Sequence, residues 1–258
     1  MEIIAVANQK GGVGKSTTSI NLAAGLAKFH KQRVLIIDLD PQGHSTKGLG
    51  INVEDEYTAS DFLLEDVGLN VIQKTSIENL DILPSDISLS LTEMKLATMV
   101  AREFRLRSRI APFKSQYDFI IIDCPPTFGV LTINAFTTAN EILMPVQLSY
   151  FSMEGVNGFV EAVRFVNSEI SPVISHKIEI AHVLITFHDK RPKLSKHIFS
   201  SIKEIFEEKL FDTTIPVNIR LNEAQANGKC IFDHYEDCTG YQSYKNLSEE
   251  LFKRYPHV

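Results

Sequence analysis

Cysteine is scarce in this chain, with only Cys124, Cys230 and Cys238 among 258 residues. The count is odd and no two are spaced C-x-x-C, which argues against a disulfide framework and makes a reduced, cytoplasmic setting the expectation. A cationic excess is missing too. Twenty-six Lys and Arg against 32 Asp and Glu leave a formal charge of −6 and a pI near 5.8, so any nucleic-acid contact must come from a local patch rather than bulk attraction. No apolar run approaches the length of a membrane span, and no charged-then-apolar leader precedes the first strand. A soluble protein is expected. Repeats, low-complexity tracts and convincing linkers are also absent. With 44% hydrophobic and 22% charged residues, the chain reads as one globular domain spanning 1–258.

What is present is a pattern of strands and helices in alternation. Ile3 to Ala7, Val34 to Ile37 and Phe119 to Ile122 are short continuous apolar runs, the kind that form parallel strands buried on both faces. Further strands are expected at Leu80–Leu83, Ile142–Val146 and Ile178–Thr186. Helices are expected at 19–31, 58–67, 87–113, 131–138, 154–167 and 193–209, with a last one from Lys245 to Val258. The fold class is therefore α/β, a mostly parallel sheet with helices on both faces.

Gln9-Lys10-Gly11-Gly12-Val13-Gly14-Lys15-Ser16-Thr17 lies between the first strand and the first helix. A glycine-rich turn there gathers backbone N–H groups and the positive end of a helix dipole at one spot, which suits phosphate. Lys15 would sit on the β- and γ-phosphates of a nucleotide, and the Ser16 hydroxyl would ligate Mg²⁺. The standard phosphate loop has glycine where Gln9 stands and leaves the next position free. Here that position is Lys10, a second cation. Asp40 lies just past the second strand, on the sheet edge where ligands bind. A carboxylate there can hold a water in line with the γ-phosphate. Asp38 is its structural or metal-side neighbour. Asp123 ends its apolar run like a Walker B carboxylate and would orient Mg²⁺ beside Ser16. Cys124, with no histidine nearby in sequence, reads as a small buried residue.

Lys10-Gly-Gly-Val-Gly-Lys-Ser-Thr17 resembles the deviant Walker A motif of the ParA/MinD superfamily of ATPases. The resemblance extends to Asp38-Leu-Asp-Pro-Gln-Gly43, Ile121-Ile-Asp-Cys-Pro-Pro126 and Ile215-Pro-Val-Asn-Ile-Arg-Leu221, and is strongest to the short chromosome-type (Soj-like) proteins. It implies a P-loop NTPase fold, ATP and Mg²⁺ as cofactors, and slow hydrolysis stimulated by a partner. It further implies homodimerisation on ATP binding, with Lys10 reaching the partner's nucleotide. Lys10, Lys15 and Asp40 are then the catalytic residues. The nucleotide is held by residues 10–17, namely Lys10, Gly11, Gly12, Val13, Gly14, Lys15, Ser16 and Thr17. Pro216 and Asn218 frame the base, and Ser16 and Asp123 hold the metal. Val217 stands where many relatives carry arginine.

Lys190, Arg191, Lys193, Lys196, His197 and Lys203 cluster against Asp189. Leu194, Ile198, Ile202 and Ile205 form an apolar stripe on the helix that follows, with Lys196 and Lys203 opposite. A basic outer face is either simply solvated or a DNA contact. The family resemblance implies non-specific DNA binding by the ATP dimer through Arg191 and Arg220, with Lys196 and Lys203 extending the patch. Doubling a weak patch raises affinity for polyphosphate steeply. Arg102, Arg105, Arg107 and Arg109 form a second basic run, either solvent-facing or an extension of the track. Glu249, Glu250 and Pro256 make the last helix an ordinary docked one and not a membrane anchor. No room precedes Ile3 for a helix-turn-helix, so operator-specific binding is not expected.

The function expected is therefore chromosome or plasmid partition with a ParB-like, centromere-binding activator, in a nucleoid-associated setting. An orphan positioner of a protein assembly and a metabolic P-loop ATPase remain as alternatives.

Overall fold

The structure, a computed structural model, describes residues 1–65, 67–149, 152–188 and 193–257, with the side chains of 193–196 outside that description. Among the described residues eight strands form one sheet: β1 (Glu2–Val6), β2 (Val34–Asp38), β3 (Gln73–Lys74), β4 (Leu80–Leu83), β5 (Phe119–Asp123), β6 (Glu141–Gln147), β7 (Glu179–His188) and β8 (Leu210–Pro216). Their spatial order is β3-β4-β2-β5-β1-β6-β7-β8. Every pairing is parallel except β3 with β4 at one edge.

Period-two alternation sends the central strands' side chains into two separate cores. Ile4, Val6, Val34, Ile36, Phe119 and Ile121 pack on one face against Ile20, Ala23 and Leu26 of α1 (Lys15–His30) and Tyr244, Leu247 and Leu251 of α10 (Thr239–Lys253). Ile3, Ala5, Leu35, Ile37, Ile120 and Ile122 face the other way. There they meet α3 (Ala59–Leu64), α4 (Ser88–Leu96), α5 (Arg105–Ile110), α6 (Val130–Thr138), α7 (Ser152–Phe165) and α8 (Lys193–Phe206). The continuous apolar runs follow from this, because a strand covered on both sides has no solvent face. Two short helices, α2 (His44–Gly48) and α9 (Ile219–Ala226), lie at the sheet's ligand edge.

Several sequence expectations need correction. The single helix expected over 87–113 is broken after α4. Ala101 adopts a left-handed φ of 55° and a 3₁₀ turn (Arg102–Phe104) leads into α5. Side chains of α6 satisfy the backbone at the break. Asn134 Oδ1 accepts from Leu106 N (3.0 Å), Asn134 Nδ2 donates to Arg102 O (2.7 Å), and Thr137 Oγ1 donates to Glu103 O (2.7 Å). Tertiary hydrogen bonds thus replace intrahelical ones, which periodicity cannot reveal. The last helix begins at Thr239 rather than Lys245, where the Cys238 sulfur accepts from Tyr241 N. On α8 the expected stripe holds at Ile198 and Ile202, but Ile205 is 53% exposed and Phe206 is buried in its place.

Two members of the Arg102–Arg109 run are not simply solvated. Arg105 donates from Nε and Nη2 to the Leu63 and Leu64 carbonyls at the end of α3 (both 2.9 Å). Arg107 donates to the Thr137 carbonyl at the end of α6 (2.7 Å). These guanidinium groups cap helix C-termini, where the dipole favours a cation.

Candidate nucleotide site

Strand register brings the site's carboxylates together. Val6 and Asp38 each stand level with Asp123 across the ladder, so β1, β2 and β5 deliver their last residues to the same edge. The loop that leaves β1 enters α1 at Gly14, whose φ of 86° belongs to the left-handed region that glycine tolerates. Gly12 also takes positive φ and Gly11 does not. Thr186 Oγ1 on β7 donates to the Val13 carbonyl (2.8 Å) and Asn8 Oδ1 accepts from Lys10 N (2.9 Å), which fixes the loop from both sides.

Lys15 is 7% exposed, and its Nζ donates to the Lys10 carbonyl (3.2 Å). Burial pushes its pKa down, against the upward pull of Asp123, Cys124 and Asp40. A buried ammonium at a helix N-terminus, among first-turn N–H groups that lack intrahelical acceptors, fits a polyphosphate. Lys10 behaves differently. Its Nζ turns away from the loop to the Ser149 hydroxyl (2.7 Å), ahead of α7.

Asp123 is wholly buried. Its Oδ2 accepts from Ser45 Oγ (2.7 Å), its Oδ1 from Ser19 Oγ (3.2 Å), and Ser16 also bonds it. Burial raises its pKa against these hydrogen bonds. Asp38 is raised as well, first by burial and then by Asp123 beside it. The Asp38 oxygens accept from Asp40 N (3.1 Å), Thr46 N (2.9 Å) and Thr46 Oγ1 (2.8 Å), which ties it to the loop and to α2. Ser16 beside Asp123 is a hydroxyl–carboxylate pair of the hard-oxygen type that suits Mg²⁺. Cys124 is buried with its pKa raised well above the ordinary thiol value, an inert environment.

Above the loop lies an open cleft of about 680 Å³, lined by Gly11 to Thr17 except Val13, by Asp40 and by Pro126, within the size range of small-ligand sites. Asp40 Oδ1 accepts from Gln42 N (2.9 Å) at its wall. Pro216 and Asn218 line a narrow slot that shares Gly14, Thr17 and Phe187 with the cleft. Asn218 also caps α9, accepting from Arg220 N (2.8 Å), and donates to Thr239 Oγ1 (2.8 Å).

The cleft contains residues that sequence reasoning passed over. Lys47 of α2 donates to the Gln42 carbonyl (2.7 Å), and Gln225 of α9 accepts from Thr17 Oγ1 (3.2 Å). Asn222 lies one turn before Gln225. Gln42 belonged to a motif already noticed, whereas Asn222 and Gln225 sit on a helix with no distinctive sequence pattern.

The expected DNA-binding residues are not brought together by any described contact. Arg191 lies outside the described residues, as does the side chain of Lys196. Lys203 is exposed on α8. Arg220 pairs with Glu223 (2.6 Å) and lies 4.6 Å over the Tyr235 ring.

Comparison with known proteins agrees with this geometry. A family model described as an AAA domain matches residues 1–180. The chain is 41% identical to sporulation initiation inhibitor protein Soj of Bacillus subtilis, covering 97% of this chain and 98% of that protein. It is 36% identical to chromosome partitioning protein ParA of Caulobacter vibrioides, covering 98% and 95%. Among solved structures, cobyrinic acid a,c-diamide synthase of Mycobacterium smegmatis, bound to an ATP analogue and magnesium, superposes with a TM-score of 0.85 at 28% identity, covering 100% and 96%. On the full-length match to Soj and ParA, the chain belongs to the ParA/MinD-type partition ATPases.

Proposed function

We propose that this chain binds ATP and Mg²⁺, dimerises around the nucleotide, and in that state binds DNA non-specifically to drive partition of a chromosome or plasmid. Residues 10–17 hold the phosphates, with Lys15 as the buried cation, and Ser16 and Asp123 hold the metal. When bound, Mg²⁺ supplies charge neutralisation between the phosphate oxygens. Asp40 orients the attacking water, and Pro216 and Asn218 frame the base. Arg191, Arg220, Lys196 and Lys203 form the DNA-facing patch. A ParB-like protein bound to a centromere-like site stimulates hydrolysis, which dissolves the dimer and releases the DNA. The setting is the cytoplasm, on the nucleoid. Among the described residues no helix is long and apolar enough to cross a membrane, and no membrane contact enters this reading.

The observation that carries it is the position of Lys10. Its ammonium is held by Ser149 rather than by its own phosphate loop, which supports a role for it towards a second copy. ATP-dependent co-sedimentation with DNA tests the whole reading. The expected result is DNA binding with ATP and none with ADP; no binding in either nucleotide overturns it.

The diamide synthase of M. smegmatis favours a metabolic ATPase as a second reading. Its 28% identity stands against 41% to Soj and 36% to ParA, and the partition reading is preferred on that difference. Amide formation from a corrinoid acid would decide for the metabolic alternative.

A further inference from the structure

Asp40 lies in the irregular segment between β2 and α2, yet its main chain is tied into a closed ring of hydrogen bonds. Asp40 N donates to Asp38 Oδ1 (3.1 Å), and the other Asp38 oxygen accepts from Thr46 Oγ1 (2.8 Å). Thr46 Oγ1 accepts from Ser85 N (2.9 Å), and Ser85 Oγ donates to the Asp40 carbonyl (2.8 Å). The four residues come from three places in the chain: the end of β2, α2, and the segment after β4. All are at most 6% exposed.

Burial matters here because a buried hydroxyl has no water to turn to. The single proton of Ser85 therefore stays committed to the Asp40 carbonyl. Gly43 supports this with an independent observation. It has φ 62°, and a Cβ built there would lie 2.8 Å from the Ser85 carbonyl, so the loop closes on Ser85 only because that position is glycine.

We propose that Ser85 is a positioning residue for hydrolysis, holding the Asp40 main chain so that its carboxylate faces the γ-phosphate end of the cleft. The ring Asp38–Thr46–Ser85–Asp40 is the device, with Ser85 as the member contributed by the segment after β4. The proposal rests on the ATPase reading and on the role of Asp40 within it. Ser85 touches neither nucleotide nor water in this scheme. Its loss should therefore slow turnover and leave ATP affinity alone, because an interaction that matters only at the transition state lowers the rate without weakening ground-state binding. The fold should tolerate the change, since the Asp40 carbonyl keeps a second donor, Gly43 N (2.9 Å).

The test is single-turnover ATP hydrolysis with Mg²⁺, together with nucleotide affinity by equilibrium titration, in wild type, Ser85→Ala, Thr46→Val and Thr46→Ser. Thr46→Val keeps the shape and deletes the hydroxyl that links the ring; Thr46→Ser keeps the hydroxyl. Ser248→Ala, which removes a buried hydroxyl on α10 that donates to the Lys245 carbonyl of its own helix, controls for general destabilisation. Because misplacing a reacting group by a fraction of an ångström costs one to two orders of magnitude, Ser85→Ala and Thr46→Val should slow hydrolysis about tenfold. Their ATP affinity should stay within about twofold, a shift of under ~0.5 kcal/mol, and Thr46→Ser and Ser248→Ala should hydrolyse near the wild-type rate. Wild-type turnover in Ser85→Ala, or an affinity loss equal to the rate loss, overturns the proposal. Wild type that binds ATP and never hydrolyses it overturns the ATPase reading beneath it, an outcome distinct from either.

Discussion

Lys10 and Lys15 sit five residues apart in one loop and are held in opposite senses. Lys15 turns inward, donating to the Lys10 carbonyl at 3.2 Å, while the Lys10 ammonium turns outward to Ser149 Oγ at 2.7 Å. Two cations in one loop would repel if both faced the same phosphate. Under the proposed function this separation would let each serve a different partner, Lys15 its own nucleotide and Lys10 a nucleotide held by another copy.

The two lysines should therefore fail differently. Lys15→Ala removes the buried ammonium and should lose nucleotide binding by at least an order of magnitude, seen by titration with a fluorescent ATP analogue. Lys10→Ala should bind ATP within a few-fold of wild type, and its defect should appear in subunit association. Equal loss of nucleotide affinity in both would contradict the division of roles.

The DNA patch makes a separate prediction. Arg191→Glu and Arg220→Glu should abolish ATP-dependent DNA co-sedimentation while leaving ATP binding intact. Arg220 already pairs with Glu223, so it must leave an intramolecular partner to reach phosphate, and its contribution should fall steeply with added salt. Normal DNA binding by both variants would refute the assignment.

Arg105 provides a contrast. It bonds two carbonyls at the end of α3, so Arg105→Ala should cost about 1–3 kcal/mol of stability, read as a lower urea midpoint. DNA binding, measured where the variant is folded, should be unchanged.

Acid sensitivity should centre on His182. This ring is 4% exposed, with Nδ1 accepting from Arg254 Nη1 (3.0 Å) and Nε2 facing Glu141 Oε2 (2.9 Å) and the Tyr255 hydroxyl (2.7 Å). Arg254 can only donate, so Nδ1 must be unprotonated and the contact with Glu141 is a hydrogen bond from a neutral ring. Burial lowers the His182 pKa below its ordinary 6.5 despite Glu141. As pH falls below that value the unfolded chain takes up a proton that the folded chain refuses, and stability declines. Glu141, lowered from 4.5 chiefly by its hydrogen bond with His182, contributes stability above 4.5 that is lost as pH falls further. Both slopes have the same sign. His182→Gln should flatten the decline between pH 7 and 5 in urea titrations, and an unchanged slope would count against the cluster as its source.

Much of the nucleotide cleft was legible in the sequence because phosphate binding needs backbone geometry, and glycine placement records backbone geometry directly. The central strands were legible for a related reason, since burial on both faces leaves a continuous apolar run. The break between α4 and α5 was not, because it is stabilised by Asn134 and Thr137 from a distant helix. Arg105 and Arg107 looked like a charged face because their acceptors are carbonyls, which every residue carries. Ser85 was invisible for a similar reason: one serine after a proline gives no sign that Asp40 lies across the ligand edge from it.

Mass by light scattering tests the central claim most directly, namely that one bound triphosphate joins two copies of this chain. With Mg²⁺ and a non-hydrolysable ATP analogue at saturation, wild type should run as a dimer and Lys10→Ala as a monomer. Asp40→Ala should be a lasting dimer in ATP itself. Wild type that stays at its monomer mass, 29.0 kDa, under saturating nucleotide would contradict the account at its root.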